Sequence, residues 1–389
     1  MSQILYNLPP LSPDYSGVAS VFHDLGALTV IHDASGCTGT YTGYDEPRWF
    51  GSRSPVFCSG LRDMDAIMGD DDRLADNIIT AAKETGAPCI TVIGSPVPMV
   101  VGFDFRGFAS LVEHRTGIPA FGFAATGLEY YDKGQRDAYI ALADRFLPEQ
   151  AKPDSRKVNI LGASVLDGFD GPAMDALESL ANEAGLQVNT VWGARSSLEE
   201  LKSAGNAGFN WVVTAAALPL ARWLEKRYGT SFAAGLPIGG GETGRIARFL
   251  RDAAAGKAPA AALPVPGRGG KPAAVIAGEA LFAASLRVCM ENEYGIGPAA
   301  IATFFGEGRE FLGETDRFLV TEDDAREVFS GGTVETVIAD PLMEDLLPET
   351  SGAAFIPVPH RAVSGRLHSE SCSRYFGAGV RDILAVPVR

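Results

Sequence analysis

Short apolar runs alternate with longer segments of helical periodicity along the whole chain. The apolar runs predict strands over Leu28–Ile31, Pro88–Ile93, Ile118–Phe123, Val158–Leu161, Gln187–Val191, Asn210–Thr214, Ala273–Ala277, Ala299–Phe304 and Val334–Asp340. The intervening segments predict helices over Asp72–Thr85, Phe105–Thr116, Ala173–Ala184, Pro219–Tyr228, Glu242–Ala254 and Glu279–Glu293. Because the strands are mostly apolar throughout, the alternation indicates parallel sheets covered by helices on both faces.

Two segments interrupt this alternation and divide the chain. Residues 148–156 are polar and contain proline, and residues 255–272 are rich in Ala, Pro and Gly. They separate three α/β units, 1–150, 155–256 and 270–389, each near the size of a small doubly wound domain. The sequence therefore predicts three Rossmann-like domains.

Composition excludes several classes of protein. The 389 residues are 46% hydrophobic and 21% charged, as in a packed soluble protein. The formal net charge of −15, without a Lys/Arg-rich run, argues against nucleic acid or an anionic membrane as partner. We expect neither a signal peptide nor a membrane span. Five cysteines, few and odd in number, fit a reducing compartment, so we predict a cytoplasmic protein.

Two cysteines lie in contexts that suit metal binding. Cys37 lies in a Gly-flanked turn after an apolar run, and Cys58 follows the short extended segment Ser54–Phe57, 21 residues later. Gly36 would let a cluster sulfide approach the backbone closely. Thiolates on tight turns beside strands are suitable ligands for an iron–sulfur cluster. Spacing alone is also compatible with two buried structural thiols.

The segments around these cysteines resemble the nitrogenase component 1 family. Residues 32–37, HDASGC, resemble its H-G-P-x-G-C turn, and residues 54–78 resemble its second cysteine segment. Residues 90–104, ITVIGSPVPMVVGFD, are similar to its third segment, and 221–232 to a later helix. The segment 357–384 resembles its closing His-containing loop and helix.

The resemblance implies an assembly. It implies three Rossmann-like doubly wound domains around a central cavity and an iron–sulfur cluster between two such subunits. An ATP-hydrolysing iron protein would deliver electrons to that cluster. This chain has no G-x-x-x-x-G-K-[ST] loop, so ATP hydrolysis would belong to the partner.

One departure from the family pattern limits the ligand set. The family's third cysteine falls at Pro96, and Cys89 lies seven residues upstream, roughly 20 Å away in an extended strand. Cys37 and Cys58 are therefore the predicted metal ligands. The remaining ligands of a [4Fe–4S] cluster would come from a second nitrogenase component 1-like subunit, identical or different.

A second departure concerns the cofactor. The catalytic nitrogenase subunit carries a cofactor-binding cysteine where this chain has Val213, Thr214 and Ala215. That difference argues against dinitrogen reduction. Smaller relatives that reduce tetrapyrroles lack this cysteine too.

A glycine-rich segment is a candidate cofactor-binding site. Residues 239–244 match G-x-G-x-x-G, which makes Gly239, Gly241 and Gly244 candidate cofactor contacts. The acidic residue expected about 20 positions later is missing, which weakens the dinucleotide interpretation. We favour a flexible loop at the interdomain cavity whose amides could hold an anionic substrate group.

The C-terminal segment offers candidate catalytic groups. His360, His368 and Cys372 form an H-x7-H-x3-C pattern, which is a weak zinc signal without a paired C-x-x-C. By resemblance, this loop faces the central cavity, where His360 or His368 could donate protons or contact substrate. A structural or surface role is the alternative for each histidine.

Three functions are compatible with these observations. The leading hypothesis is a subunit of a nitrogenase-like reductase that relays electrons through an interface cluster to an unidentified substrate. A scaffold for assembly of a nitrogenase-type metallocofactor is the alternative. A periplasmic-binding-like small-molecule binder is a third, disfavoured by the missing export signal.

Overall fold

Three separate parallel sheets form the framework of the molecule. The computed structural model describes residues 6–51, 54–69, 71–257 and 269–384, so part of the predicted linker 255–272 lies outside the described residues. Within the described ranges the sheets have four, four and five strands. The predicted fold class, an α/β arrangement of parallel sheets, is confirmed.

Strands and helices alternate from the first unit to the last. The strands are β1 (Leu28–Ile31), β2 (Val56–Cys58), β3 (Ile90–Ile93), β4 (Ala120–Phe123), β5 (Asp154–Leu161), β6 (Gln187–Trp192), β7 (Ala207–Val212), β8 (Ser231–Ala234), β9 (Ala274–Ala277), β10 (Ala299–Thr303), β11 (Arg317–Phe318), β12 (Thr336–Ala339) and β13 (Ala354–Pro357). The helices are α1 (Asp14–His23), α2 (Gly36–Thr40), α3 (Asp63–Met68), α4 (Asp71–Thr85), α5 (Pro96–Val100), α6 (Phe105–Thr116), α7 (Tyr131–Phe146), α8 (Gly171–Glu183), α9 (Leu198–Leu201), α10 (Leu218–Tyr228), α11 (Gly239–Ala254), α12 (Ala280–Cys289), α13 (Glu322–Phe329), α14 (Arg361–Ser364) and α15 (Arg381–Leu384). None of these helices combines the length and apolar character needed to cross a bilayer.

The strand order creates one switch point in each sheet. The orders are β2-β1-β3-β4, β6-β5-β7-β8 and β11-β10-β9-β12-β13, and all the pairings are parallel. The chain reverses its direction of travel across the sheet between β1 and β3, between β5 and β7, and between β9 and β12. Loops diverge at the carboxyl edge there and leave room for a ligand.

Burial on both faces explains the apolar strands. All four residues of β1 and of β3 are buried. Val30 packs with Leu74 and Ile78 of α4, while Ile31 packs in the core that contains Phe22 of α1. Alternate residues of one strand therefore enter different cores, as expected for a sheet covered on both sides.

Two glycines allow α1 and α7 to pack in close contact. A Cβ added to Gly17 would lie 2.0 Å from the backbone oxygen of Tyr131, and one added to Gly134 would lie 1.9 Å from that of Asp14. Asp14 itself accepts hydrogen bonds from the backbone N–H groups of Thr126 and Gly127, at 2.9 and 2.8 Å. These contacts fix the amino end of α7, where Tyr131 lies.

The N-terminal segment binds the third sheet's unit. The backbone N–H groups of Tyr6, Asn7 and Leu8 each donate to Oε1 of Glu322, at 2.8 Å. Glu322 is the first residue of α13 and is buried. The beginning of the chain is thus attached to an element more than 300 residues away.

Every predicted strand overlaps an observed one, and the missed strands lie at sheet edges. The missed strands are β2, β8, β11 and β13, each with only one paired neighbour. β2, for example, has no buried residue, so its sequence lacks the uninterrupted apolar run of a central strand. The sequence does not predict the helices α1 and α7 either, since Gly17 and Gly134 weaken their helical pattern.

We predict that Gly134→Ala destabilises the protein by about 1–3 kcal/mol, because the new methyl group would collide with the backbone of α1. The matched control is Gly244→Ala, a helical glycine in α11 with no atom within 4 Å of the added Cβ. That change should be neutral or stabilise by up to about 1 kcal/mol. Thermal unfolding midpoints of the two variants test the difference, and equal midpoints would contradict the packing argument.

Candidate functional site

The loop after β1 holds Cys37 on a constrained turn. The Asp33 carboxylate accepts hydrogen bonds from the backbone N–H groups of Ser35 and Thr38, at 2.9 and 3.2 Å. Ser35 has φ 151°, an unusual conformation for a residue with a side chain, and directly precedes α2. Strained backbone of this kind is concentrated at functional sites. Gly36 is the first residue of α2, and Cys37 is half-buried in its first turn.

Cys58 lies beside the same turn. It ends β2 and pairs with Ile31 of β1. Its Sγ lies 3.3 Å from the backbone oxygen of Asp33 and 3.3 Å from the backbone nitrogen of Gly60. Because Asp33 also holds the turn of Cys37, the structure brings the two predicted cysteine ligands to one end of the first sheet.

The position of the family's third cysteine adjoins this site, but this chain has no thiol there. Ser95 follows β3, and its hydroxyl donates to the backbone oxygen of His32 at 2.8 Å. Pro96 begins α5. Cys89 is fully buried at the opposite, amino end of β3, as expected from the spacing.

Burial shifts the pKa values of the ionisable groups at this end of the first sheet. It raises the pKa of the Cys37 thiol, and the negative charge of Asp33 raises it further, while hydrogen bonds from Tyr15 and Ser95 oppose the shift. Burial lowers the pKa of His32 to about 4, so this imidazole is neutral at pH 7. The His32 Nδ1 lies 2.8 Å from the Ser59 hydroxyl, so it supports the loops as an uncharged group.

The two thiols do not form a complete metal site. No group of three or more His, Cys, Asp or Glu side chains in the described part of the chain could hold a metal ion. An iron–sulfur cluster usually takes four cysteine ligands. The donor set fits such a cluster only if another chain supplies the remaining ligands.

A second candidate site lies where the second and third sheets meet. A cavity of about 40 Å³ is lined by residues that follow β5, β7, β9 and β13. They include Asp167, Thr214, Glu279 and His360. The carboxyl edges of both sheets therefore open onto one small space, which has room for one to three water molecules.

A hydrogen-bonded group of three side chains borders this cavity. The Tyr131 hydroxyl donates to Oδ1 of Asp167, and His360 Nε2 lies 3.3 Å from each of these oxygens. Burial, then the charge of Asp167, raises the pKa of Tyr131 well above its ordinary value, so the phenol stays protonated. Asp167 Oδ2 and His360 Nδ1 are buried without a partner among the described residues.

Glu279 adds a buried carboxyl group to the same cavity. Its oxygens accept hydrogen bonds from the backbone N–H groups of Ala215 and Phe282, both at 2.7 Å. Burial, and then the charge of Asp167, raises the pKa of Glu279 to about 7. The cavity thus holds a carboxyl group that exchanges its proton near neutral pH.

The other sequence candidates are placed differently. His368 is exposed, while Cys372 is buried and lines the cavity with His360. These three side chains do not form a metal site within the described residues.

The glycine-rich segment is helical, so the prediction of a flexible cavity loop was wrong. Gly239 begins α11, and the helix includes Gly241 and Gly244. The N–H groups of Gly240 and Gly241 donate to the carboxylate of Glu293, at 2.9 and 2.8 Å. An internal side chain therefore takes the position of an anionic ligand.

Sequence reasoning missed Tyr131, Asp167 and Glu279. Asp167 and Glu279 each follow a predicted strand within a few residues, which is the one sequence signal that could have identified them. Tyr131 begins an unpredicted helix, and its contact with His360 spans 229 positions.

Comparison with protein families gives a match over most of the chain. Residues 14–328 match the family described as "Nitrogenase component 1 type Oxidoreductase". The chain is 36% identical over 109 residues to one of the subunits of light-independent protochlorophyllide reductase from Nostoc sp. (strain PCC 7120 / SAG 25.82 / UTEX 2576). It is 33% identical over 102 residues to the same protein from Nostoc punctiforme. These alignments cover 27% and 26% of this chain, and only 21% and 20% of the relatives' length.

Solved structures share the fold. "Nitrogenase Cp1 at pH 5" superposes with a TM-score of 0.63 at 16% identity and covers 100% of this chain and 90% of that chain. "Nitrogenase Cp1 at pH 6.5" gives a TM-score of 0.61 at 15% identity, covering 93% and 86%. The likeness extends over all three sheets.

We predict a carboxylic acid signal from Glu279 in infrared spectra. The pKa of about 7 exceeds the ordinary 4.5, so the folded state favours the protonated form. The contribution of this group to the free energy of unfolding is therefore greatest below about pH 4.5 and falls as the pH rises through 7.

The measurement is a pH titration of the protonated carboxyl band between pH 5 and 9. Glu279→Gln should remove a component that titrates near pH 7. Glu242→Gln, which removes a buried carboxylate ion-paired with Arg245, should leave that component unchanged. Equal band amplitudes in wild type and Glu279→Gln would contradict the assignment.

Proposed function

The chain belongs to the nitrogenase component 1 type oxidoreductase family, and from this premise we propose that it is a subunit of a nitrogenase-like reductase. In this proposal it receives electrons from an ATP-hydrolysing iron protein and passes them through a cluster at a subunit interface to a substrate. The observation that carries the proposal is the pair of half-buried thiols, Cys37 and Cys58, at the carboxyl ends of the neighbouring strands β1 and β2.

Cys37 and Cys58 would hold one side of a [4Fe–4S] cluster. When bound, the cluster would supply one-electron transfer. The N–H of Gly60, 3.3 Å from the Cys58 sulfur, can stabilise a thiolate there, and Gly36 leaves open space beside Cys37. Asp33 contacts the loop of Cys37 and the sulfur of Cys58, which keeps the two thiols at one end of the sheet and supports the proposal.

The surface around the cysteines supports a second subunit as the source of the other ligands. Exposed apolar side chains surround this end of the sheet: Phe57, Met64, Ile67, Met68, Val97, Val100 and Val101. A cavity of about 580 Å³ between α3, α4 and the end of α5 reaches His32. An apolar surface of this kind, next to an incomplete ligand set, suits a protein interface.

The interdomain cavity would supply protons for the reduction. We assign proton donation to His360 and not to the exposed His368, because His360 contacts both Asp167 and Tyr131. Glu279 lines the same cavity and can exchange a proton near pH 7. A carboxyl group with a pKa near the working pH is well suited to such transfer.

The interdomain cavity itself is too small to hold a metallocofactor precursor. A metallocofactor precursor would need a pocket of several hundred Å³. The interdomain cavity has about 40 Å³. It accommodates water and proton-carrying side chains, and the bulk of a larger substrate would bind outside it.

We expect Cys37→Ala and Cys58→Ala each to lose most of the iron and sulfide of the assembly, because each removes a thiolate ligand. The protein is purified anaerobically with its partner subunit, and iron, acid-labile sulfide and EPR spectra are measured. Cys89→Ala, at the opposite end of β3, should retain the iron content of wild type. Circular dichroism confirms folding. A wild-type assembly without iron would overturn the proposal.

We also expect Val100→Glu to weaken subunit association at least about tenfold, since it would bury a charge in the proposed interface. Val100 is 87% exposed in this chain, next to the cysteine edge. Val320→Glu, a change of the same kind in the third unit, should have no effect. Sedimentation velocity over a concentration series measures both. Unchanged association of Val100→Glu would place the interface elsewhere.

A further inference from the structure

A larger outer cavity adjoins the one that contains His360. It has a volume of about 490 Å³ and lies between the amino end of α8, the turn at Arg195 after β6 and the loop 361–371. Gly168, Phe169 and Glu370 line both cavities. The outer cavity has the size of a small-molecule site and shares a wall with the proposed proton donor.

Two of the three arginines that line this cavity have carboxylate partners. Arg48 pairs with Glu46 at 2.7 Å and with Asp24 at 2.8 Å. Arg195 pairs with Asp175 at 2.7 Å. Their charges are therefore compensated within the protein.

Arg361 is the exception. It is half-buried, its guanidinium donates to the Ser369 hydroxyl, and it forms no ion pair with a carboxylate of the described residues. Burial lowers the pKa of Arg361, and the charges of Glu46, Asp45 and Asp170 oppose this shift without forming an ion pair with it. It directly follows His360, whose backbone N–H is fixed by Asp340 at 2.8 Å.

The acidic residues of the cavity are engaged elsewhere. Asp170 caps α8 through the N–H of Ala173, at 3.0 Å, and accepts from the Ser371 hydroxyl, at 2.5 Å. Glu370 pairs with Arg374, and Asp24 pairs with Arg48. None of these three carboxylates forms an ion pair with Arg361 within the described residues, so its guanidinium remains available to a ligand.

The remaining wall is apolar. Val165, Phe169, Met174 and Ala194 line the cavity. Such a surface can pack against a hydrocarbon or aromatic group, while a polar end would reach Arg361 and Ser369. The arrangement is that of an amphipathic ligand site with one polar anchor.

We propose that this outer cavity binds an amphipathic monocarboxylate, with its carboxylate on Arg361 and Ser369 and its apolar part against Phe169 and Met174. Arginine presents paired N–H groups that match a carboxylate. The neighbouring carboxylates disfavour a doubly charged phosphate. If the proposed function holds, this ligand is the substrate class of the reductase, held beside His360; binding itself requires no cluster.

The test compares 4-phenylbutyrate with its neutral amide, 4-phenylbutyramide, by titration calorimetry on the full chain. Wild type should bind the carboxylate at least about tenfold more tightly than the amide, because one charge-assisted hydrogen-bonded contact is lost with the amide. Arg361→Gln should reduce this ratio to about one, and Arg361→Lys should retain part of it. Arg222→Gln, which removes a surface arginine paired with Glu310, should behave as wild type.

Three results would overturn the proposal. They are equal affinity of wild type for acid and amide, an undiminished ratio in Arg361→Gln, and competition by inorganic phosphate as strong as by the carboxylate. Circular dichroism checks that each variant is folded. Since the titration needs neither iron nor electron transfer, its outcome is independent of whether the cluster proposal survives.

Discussion

Parallel pairing of the strands determines where functional side chains can stand in this protein. The central strands are buried on both faces and mostly apolar, and the ionisable groups of the two proposed sites lie where the strands end. In each sheet the strand order reverses once, and the loops at that point separate. Cys37 follows β1 at this position in the first sheet, with Cys58 at the end of the neighbouring strand β2, and Asp167 and Glu279 follow β5 and β9 at this position in the second and third. The two proposed sites are thus results of one rule of sheet construction.

Some buried charged groups of this protein are ion-paired, and others are not. Buried carboxylates such as Glu46 and Asp316 have arginine partners at 2.7 and 2.8 Å. Glu279 has no cationic partner among the described residues and instead has a pKa of about 7. Arg361 likewise has no carboxylate partner within the described ranges. Glu279 and Arg361 line two cavities that share a wall, where a proton or a ligand would complete the balance.

The sequence predicts the central strands well because their apolar runs are a local property. Edge strands such as β2 and β13 have one exposed side and lack that signal. Cys37 and Cys58 could be selected as candidate ligands because the short motifs around them resemble those of the family. The Tyr131–Asp167–His360 group could not, because it joins residues from three distant parts of the chain. The glycine motif at 239–244 begins a helix whose first N–H groups bind the Glu293 carboxylate. Because Glu293 lies more than 50 positions later, the short motif could not predict this contact.

The attachment of residues 6–8 to Glu322 has a mechanical consequence. The first sheet is continuous in sequence with the second, and the second with the third, while this attachment joins the chain's beginning back to the third unit. The three units form a closed ring. A ring of this kind cannot open by rotation about one linker unless three charge-assisted hydrogen bonds break. Access to the interior would therefore come from sliding of packed surfaces or from movement of single loops.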